Sequence, residues 1–247
     1  MSIHRVAQLR RISFDPVAQI FDKTRGPPEH VMKQLLNMLA KELSACRTIL
    51  DAGVGTGRFA KPLQNRAFEV VGIDISQKML SVAKEKGTQD LFRGDICALP
   101  FKDDSFDAAI CNAVLHLIPE WKAVLREIRR VTAGVIVSTI HERDNPMRDA
   151  YTHLLENHGY KMPKRENPVR DLMDSVTPSK SIHVASYYVD VEKSLSHMNK
   201  RVFSFQWSIP ESTHTEVMRE LERGFSGMRL RQGIRISIWN SDDLAHL

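Results

Sequence analysis

The stretch Thr48-Ile-Leu-Asp-Ala-Gly-Val-Gly-Thr-Gly-Arg-Phe59 decides the fold. It begins as an apolar strand that ends at Asp51. Three glycines then follow at alternate positions: Gly53, Gly55 and Gly57. A strand that stops at a glycine loop and continues as a helix is the first unit of a doubly wound α/β sheet. Glycine suits such a loop because the backbone adopts positive φ there and a ligand lies against bare backbone.

Strand and helix patterns alternate from this stretch onward. Strands are predicted at 48–51, 69–73, 91–93, 106–111 and 134–140, and later at 183–189, 202–207 and 234–239. The run 134–140 is continuous, apolar and mostly β-branched, which is typical of a central parallel strand. The sequence therefore predicts an α/β fold. We expect a Rossmann-like, doubly wound, seven-stranded and mostly parallel sheet with helices on both faces.

We expect a single domain over residues 1–247, built around a cofactor-binding core at 48–141. Residues 1–47 are predicted to form N-terminal helices and a lid. Residues 142–202 are an elaboration that shapes an acceptor pocket, and polar residues 160–182 within it show no regular pattern. Residues 203–247 are predicted to add C-terminal strands and a helix.

Composition narrows the class of protein. An apolar share of 42% supports a globular core, and no apolar run is long enough to span a membrane. Cys46, Cys97 and Cys111 are scattered without metal-ligand spacing, so we expect reduced thiols in a cytoplasmic protein and no metal site. The net charge of +5 is compatible with an anionic substrate or nucleic acid, although a solvated surface explains it more simply.

Acidic residues follow the next two strands at the edge where open α/β sheets bind ligands. Asp74 ends the second strand at the distance from Gly53 that dinucleotide-binding folds use for ribose. Asp95 and Ile96 follow the third strand and could bracket a base. A nucleoside ligand is predicted, but Arg58 stands where a pyrophosphate fingerprint needs its third glycine.

The motifs resemble those of class I S-adenosylmethionine-dependent methyltransferases. The matching runs are Leu50 to Arg58, Gly72 to Ser76, Gly94 to Phe101, Asp104 to Asp107, Asn112 to Leu117 and Leu125 to Val131. The resemblance covers about 48–140 and is closest to the small-molecule branch that includes the ubiquinone and menaquinone methyltransferases. No Asn-Pro-Pro-aromatic motif follows the fourth strand, which argues against methylation of DNA bases or protein amides.

The resemblance implies S-adenosyl-L-methionine as the cofactor and a set of residues that bind it. The implied roles are the methionine ammonium for Asp51, ribose for Asp74, adenine for Asp95 with Ile96, and a backbone carbonyl contact for Asn112. Met79 is expected against the adenine and Arg25 at the cofactor carboxylate. The full set is Asp51, Gly53, Gly55, Asp74, Ile75, Met79, Asp95, Ile96, Asn112 and Arg25.

No catalytic residue is assigned, since methyl transfer needs a base only if the acceptor atom is protonated. His116 and His141 follow the fourth and fifth strands, so either could face the acceptor as that base.

The predicted function is transfer of a methyl group to a small-molecule acceptor. A nicotinamide-dependent oxidoreductase is disfavoured by the glycine spacing. A catalytically silent module that binds S-adenosylmethionine remains an alternative. An RNA methyltransferase is a further alternative, although the chain has no dense Lys/Arg tract and nucleic acid is not the expected partner.

Overall fold

The computed structural model describes residues 13–142, 145–162 and 168–246. Its sheet has seven strands in the order β3-β2-β1-β4-β5-β7-β6. The strands are β1 Thr48–Ala52, β2 Glu69–Asp74, β3 Leu91–Arg93, β4 Phe106–Ile110, β5 Thr132–His141, β6 Lys180–Val189 and β7 Leu230–Asn240. Strands β1 to β5 pair in parallel, and β7 lies antiparallel between β5 and β6. The predicted seven-stranded, mostly parallel α/β sheet is confirmed.

Helices cover both faces of this sheet. They are α1 Phe21–Thr24, α2 Glu29–Glu42, α3 Ala60–Gln64, α4 Gln77–Glu85, α5 Trp121–Val131, α6 Pro146–Asn157, α7 Pro168–Ser175, α8 Val191–Asn199 and α9 Glu211–Phe225. On one face, Leu39 of α2 and Leu63 of α3 share a core with Ile49 of β1. On the other face, Ile128 of α5 packs in the core that contains Leu50. Alternate residues of β1 therefore point into two separate cores, as expected for a central strand.

A third core lies outside the sheet and joins α6, α8 and α9. Tyr151, Leu195 and Val217 contribute one buried side chain from each of these helices. The hydroxyl of Tyr151 and Nδ1 of His214 are hydrogen-bonded at 2.6 Å inside this core. The helices after β5 thus form a packed layer of their own beside the sheet.

Two predictions outside the central motifs were wrong. Residues 202–207 do not form a strand; Ser204–Gln206 is a short 3₁₀ helix. Nη2 of Arg201 donates hydrogen bonds to the backbone carbonyls of Gln206 and Ile209, so these carbonyls are not available to a sheet. In the polar region 160–182 no helix was predicted, but it contains α7, Pro168–Ser175.

None of the helices in the described ranges is long and apolar enough to cross a membrane. The first part of the predicted N-terminal lid, residues 1–12, lies outside the described residues.

Candidate functional site

The loop after β1 is a left-handed glycine turn. Gly53, Gly55 and Gly57 have φ of +81°, +53° and +72°, a region that residues with a Cβ rarely adopt. A Cβ on Gly53 would lie 2.9 Å from a methyl group of Val114, so this position has no room for a side chain. The amide of Gly53 donates to the carbonyl of Ile73 at 2.9 Å, which ties the loop to β2. The result is a rigid surface of bare backbone at the carboxyl edge of the sheet.

Asp74, the last residue of β2, is held against this loop. Its Oδ2 accepts a hydrogen bond from the amide of Gly55 at 2.9 Å, and its Oδ1 accepts one from the amide of Ser76 at 2.8 Å. Burial raises the pKa of Asp74, although these two backbone donors oppose the effect. Each oxygen retains a lone pair, so the carboxylate is able to accept two further hydroxyl groups. This is the chemistry that a ribose needs.

Asp51 in β1 is a buried carboxyl group that lacks a full set of partners. Its side chain is 2% exposed, and within the described residues its Oδ2 has no hydrogen-bond partner. Burial and the charge of Asp74 raise its pKa to about 7, although a backbone hydrogen bond from Ala60 opposes this. A buried carboxylate oxygen without a partner is costly. The arrangement fits a ligand that carries a cation, such as the ammonium group of a methionine moiety.

The residues expected around the base lie next to Asp74. Asp95 accepts a hydrogen bond from the amide of Cys97 at 3.0 Å in the turn after β3, and Ile96 is buried. Ile75 keeps half of its side chain exposed. The terminal methyl of Met79 lies 3.3 Å from the place that a Cβ of Gly55 would occupy. Met79 therefore lies against the loop, and the contacts of Asp95, Ile75 and Ile96 with an adenine stay predictions.

Asn112 links β4 to β5 by its side chain. Its Oδ1 accepts hydrogen bonds from the amide and the hydroxyl of Thr139. These contacts hold the backbone after β4 in place. The contact of its carbonyl with the cofactor stays a prediction.

The N-terminal segment closes over the glycine loop through Asp22, a residue that sequence reasoning missed. Its carboxylate accepts hydrogen bonds from the hydroxyl of Thr56 at 2.7 Å and from Nη2 of Arg58 at 3.0 Å, and it pairs with Lys86. Burial alone would raise the pKa of Asp22, but these partners lower it. Asp15 likewise accepts a hydrogen bond from the hydroxyl of Ser76.

A sequence signal for this contact exists. Phe14-Asp15 and Phe21-Asp22 are the same pair repeated seven residues apart. The two rings pack edge to face at 5.8 Å and lie against a buried cluster that contains Met79. Asp22 contacts the glycine loop, and Asp15 contacts Ser76.

Arg25 lies at the end of this N-terminal segment, among aromatic rings. Its Nη2 donates to the carbonyl of Val202 at 2.7 Å, and its guanidinium lies 4.9 Å from the ring centre of Phe21 and 5.2 Å from that of Phe203. Burial and the charge of Arg58 lower its pKa to about 10. The expected contact with a cofactor carboxylate stays a prediction, and the structure adds a role in joining α1 to the segment after α8.

Both candidate histidines lie at the carboxyl edge of neighbouring strands. His116 is in the 3₁₀ helix Leu115–Leu117 after β4, and His141 is the last residue of β5. His141 is exposed at the surface, but the protein packed around its imidazole lowers the pKa of that group, so the ring is neutral near pH 7 and able to accept a proton. Their roles as bases stay predictions. In the part of the chain that the structure describes, no three His, Cys, Asp or Glu side chains are grouped as a metal site.

Comparison with known proteins gives the same assignment for the central region. Residues 50–134 match a family model described as a methyltransferase domain. An uncharacterised protein of Methanocaldococcus jannaschii is 34% identical over 141 residues, which cover 56% of this chain and 65% of that one. A demethylmenaquinone methyltransferase of Renibacterium salmoninarum is 37% identical over 112 residues, which cover 43% of this chain and 47% of that enzyme. The chain thus spans less than two thirds of either relative.

A solved structure from Thermotoga maritima, described as a SAM-dependent methyltransferase and possible histamine N-methyltransferase, has the same fold. Its TM-score is 0.54 at 18% identity, and the match covers 92% of this chain and 98% of that one. The fold, the glycine loop and the matched region lead to one assignment. Residues 50–134 are therefore similar to a methyltransferase domain.

Proposed function

We propose that the chain is an S-adenosylmethionine-dependent methyltransferase that acts on a small-molecule acceptor. The observation that carries this proposal is the pair of carboxylates at the glycine loop. Asp74 is hydrogen-bonded to the amide of Gly55 at 2.9 Å, and the buried Asp51 beside it has an oxygen without a partner in the described ranges. One carboxylate suits ribose hydroxyls and the other an ammonium group.

The cofactor would supply a methyl group on a sulfonium, which already has a good leaving group. The protein then contributes position and a dry environment. Asp95 and Ile96 would hold the adenine, Asp74 the ribose and Asp51 the ammonium. The lid held by Asp22 would exclude water from the loop. His141, neutral near pH 7, would take a proton only from a protonated acceptor.

The small-molecule acceptor rests on the resemblance to the quinone branch and on the match to a relative that is named for a menaquinone precursor. A cytoplasmic location is part of the same proposal. Methylation of RNA and binding of the cofactor without catalysis are the alternatives that an experiment has to separate.

Isothermal titration with S-adenosylhomocysteine, and with NADH as the control ligand, tests the cofactor assignment. We expect binding of S-adenosylhomocysteine only, and binding of NADH alone would refute the proposal. Transfer of labelled methyl groups into a small-molecule extract, compared with purified RNA, then tests the acceptor class. Label in RNA would support the RNA alternative, and cofactor binding without transfer to either would support the silent module.

A further inference from the structure

A second half-buried arginine lies in the helix that follows β5. Arg148 is in the first turn of α6, the helix that follows β5, so it lies near the carboxyl edge of the sheet. Its guanidinium is 4.8 Å from the ring centre of Phe205. Burial lowers the pKa of Arg148, while the charge of the neighbouring Asp149 raises it.

Arg148 lacks the partners that other inward-facing arginines have. Among residues 13–142, 145–162 and 168–246, no carboxylate lies within 4.0 Å of its guanidinium, and no hydrogen bond is made by its donors. By contrast, Arg130 pairs with Glu127 and Asp103. A guanidinium has five donors, and burying it without an acceptor costs stability. Its place near the positive end of a helix adds to this cost.

The ring under Arg148 belongs to the aromatic wall that reaches the lid. Phe205 stacks on Phe203 with ring centres 5.8 Å apart and planes 15° apart. The other arginine on this wall, Arg25, lies over Phe203 and belongs to the segment that docks on the glycine loop. One wall therefore carries two guanidiniums, that of Arg25 from the segment docked on the glycine loop and that of Arg148 from the first turn of α6.

We propose that Arg148 binds an anionic group of the methyl acceptor, a carboxylate or a phosphate, so that the substrate class is small acidic molecules. This inference rests on the proposed function. The planar guanidinium binds such groups with two parallel hydrogen bonds, and the ring of Phe205 holds it in a fixed orientation. A bound anion would supply the hydrogen-bond acceptor that Arg148 lacks among the described residues. An uncharged quinone, the acceptor of some members of the branch that the chain resembles, would not use this residue.

The first test separates acceptors by charge before the reaction. A small-molecule extract of the source cells is divided on an anion-exchange resin, and each pool is incubated with the protein and labelled S-adenosylmethionine. We expect label to enter acceptors from the pool that the resin retains. Label confined to the unretained pool would overturn the inference and keep the proposed function. No label from either pool would remove both, and binding of S-adenosylhomocysteine would then identify a silent module.

The second test uses Arg148→Gln and Arg148→Lys, with Arg229→Gln as a matched control because Arg229 also lies over a ring, 4.6 Å from the centre of Tyr188, but is exposed. With the retained pool as acceptor, we expect Arg148→Gln to lower the rate at low acceptor concentration about 30-fold or more. Arg148→Lys should keep part of the wild-type rate, and Arg229→Gln should keep all of it.

In Arg148→Gln, the affinity for S-adenosylhomocysteine should change less than about twofold. The melting temperature of this variant should not fall, since a half-buried charge is removed. Full transfer by this variant would overturn the inference. A lower melting temperature with equal loss of transfer and cofactor binding would also overturn it, because Arg148 would then be a structural residue.

Discussion

Replacement of Asp51 by asparagine tests the donor site most directly. The pKa of this carboxyl rises from an ordinary 3.8 to about 7 in the folded protein. The folded state therefore holds the proton more tightly than the unfolded state, and stability falls as pH rises from about 4 to 7. The full cost above pH 7 is on the order of 4 kcal/mol, since one pKa unit corresponds to about 1.4 kcal/mol.

Asparagine keeps an oxygen for the amide of Ala60 and removes the charge. Without ligand at pH 8, Asp51→Asn should melt several degrees higher than the wild type, with about 4 kcal/mol as the ceiling. This difference should shrink as the pH falls through 7 to below 4, where the wild-type carboxyl becomes protonated in the unfolded state as well. The measurement is a thermal melt of both proteins at a series of pH values.

Binding should change in the opposite direction. An ammonium beside Asp51 favours the carboxylate, so wild-type affinity for S-adenosylhomocysteine should rise with pH, by up to about tenfold per unit, until about pH 7. In Asp51→Asn we expect no such rise, and affinity at pH 8 lower by about 30-fold or more. Equal wild-type affinity at pH 6 and pH 8, or wild-type affinity in the variant, would refute the assignment of Asp51 to the ammonium.

Three further predictions concern the loop, the lid and the outer core. Gly55→Ala and Gly227→Ala should each lower the free energy of unfolding by about 1–2 kcal/mol, since both residues have positive φ. Only Gly55→Ala should lose binding of S-adenosylhomocysteine in titrations, and equal affinities of the two variants would contradict this. Asp22→Asn should lower global stability by less than about 1 kcal/mol, yet speed proteolytic cleavage within residues 13–25 several-fold, and unchanged cleavage would contradict the docking. Tyr151→Phe should cost about 1–3 kcal/mol in denaturant unfolding because Nδ1 of His214 loses its buried partner; no loss would show that the hydrogen bond is dispensable.

The central half of the fold was predictable because its signals are local. The apolar run, the acid at its end and the glycines lie within a dozen residues from Thr48 to Phe59. Strand β3 was predicted with the bounds that the structure shows, Leu91–Arg93. Parallel pairing follows from the helices α3, α4 and α5, which connect β1 to β2, β2 to β3 and β4 to β5, since each such crossover returns the chain to the same edge.

The outer parts depend on contacts between distant segments. Alternating Phe203, Phe205 and Trp207 have the period of a strand, but these rings pack on the lid and on α6, while β7 fills the place beside β5. The contact of Arg25 with Val202 joins residues 177 positions apart, and no local pattern indicates it. Asp22 could have been found from the repeated Phe-Asp pair, but its partners Thr56 and Lys86 are set only by the folded loop.

The helix that carries Asp22 is only four residues long. A helix of that length has no stability of its own in water, so its order comes from the glycine loop to which its carboxylate is bound. That carboxylate is one-third exposed and pairs with Arg58 and Lys86. Dissolved salt screens the attraction between these charges. We therefore expect higher ionic strength to loosen the N-terminal segment from the loop and so to raise the rate at which ligand enters and leaves.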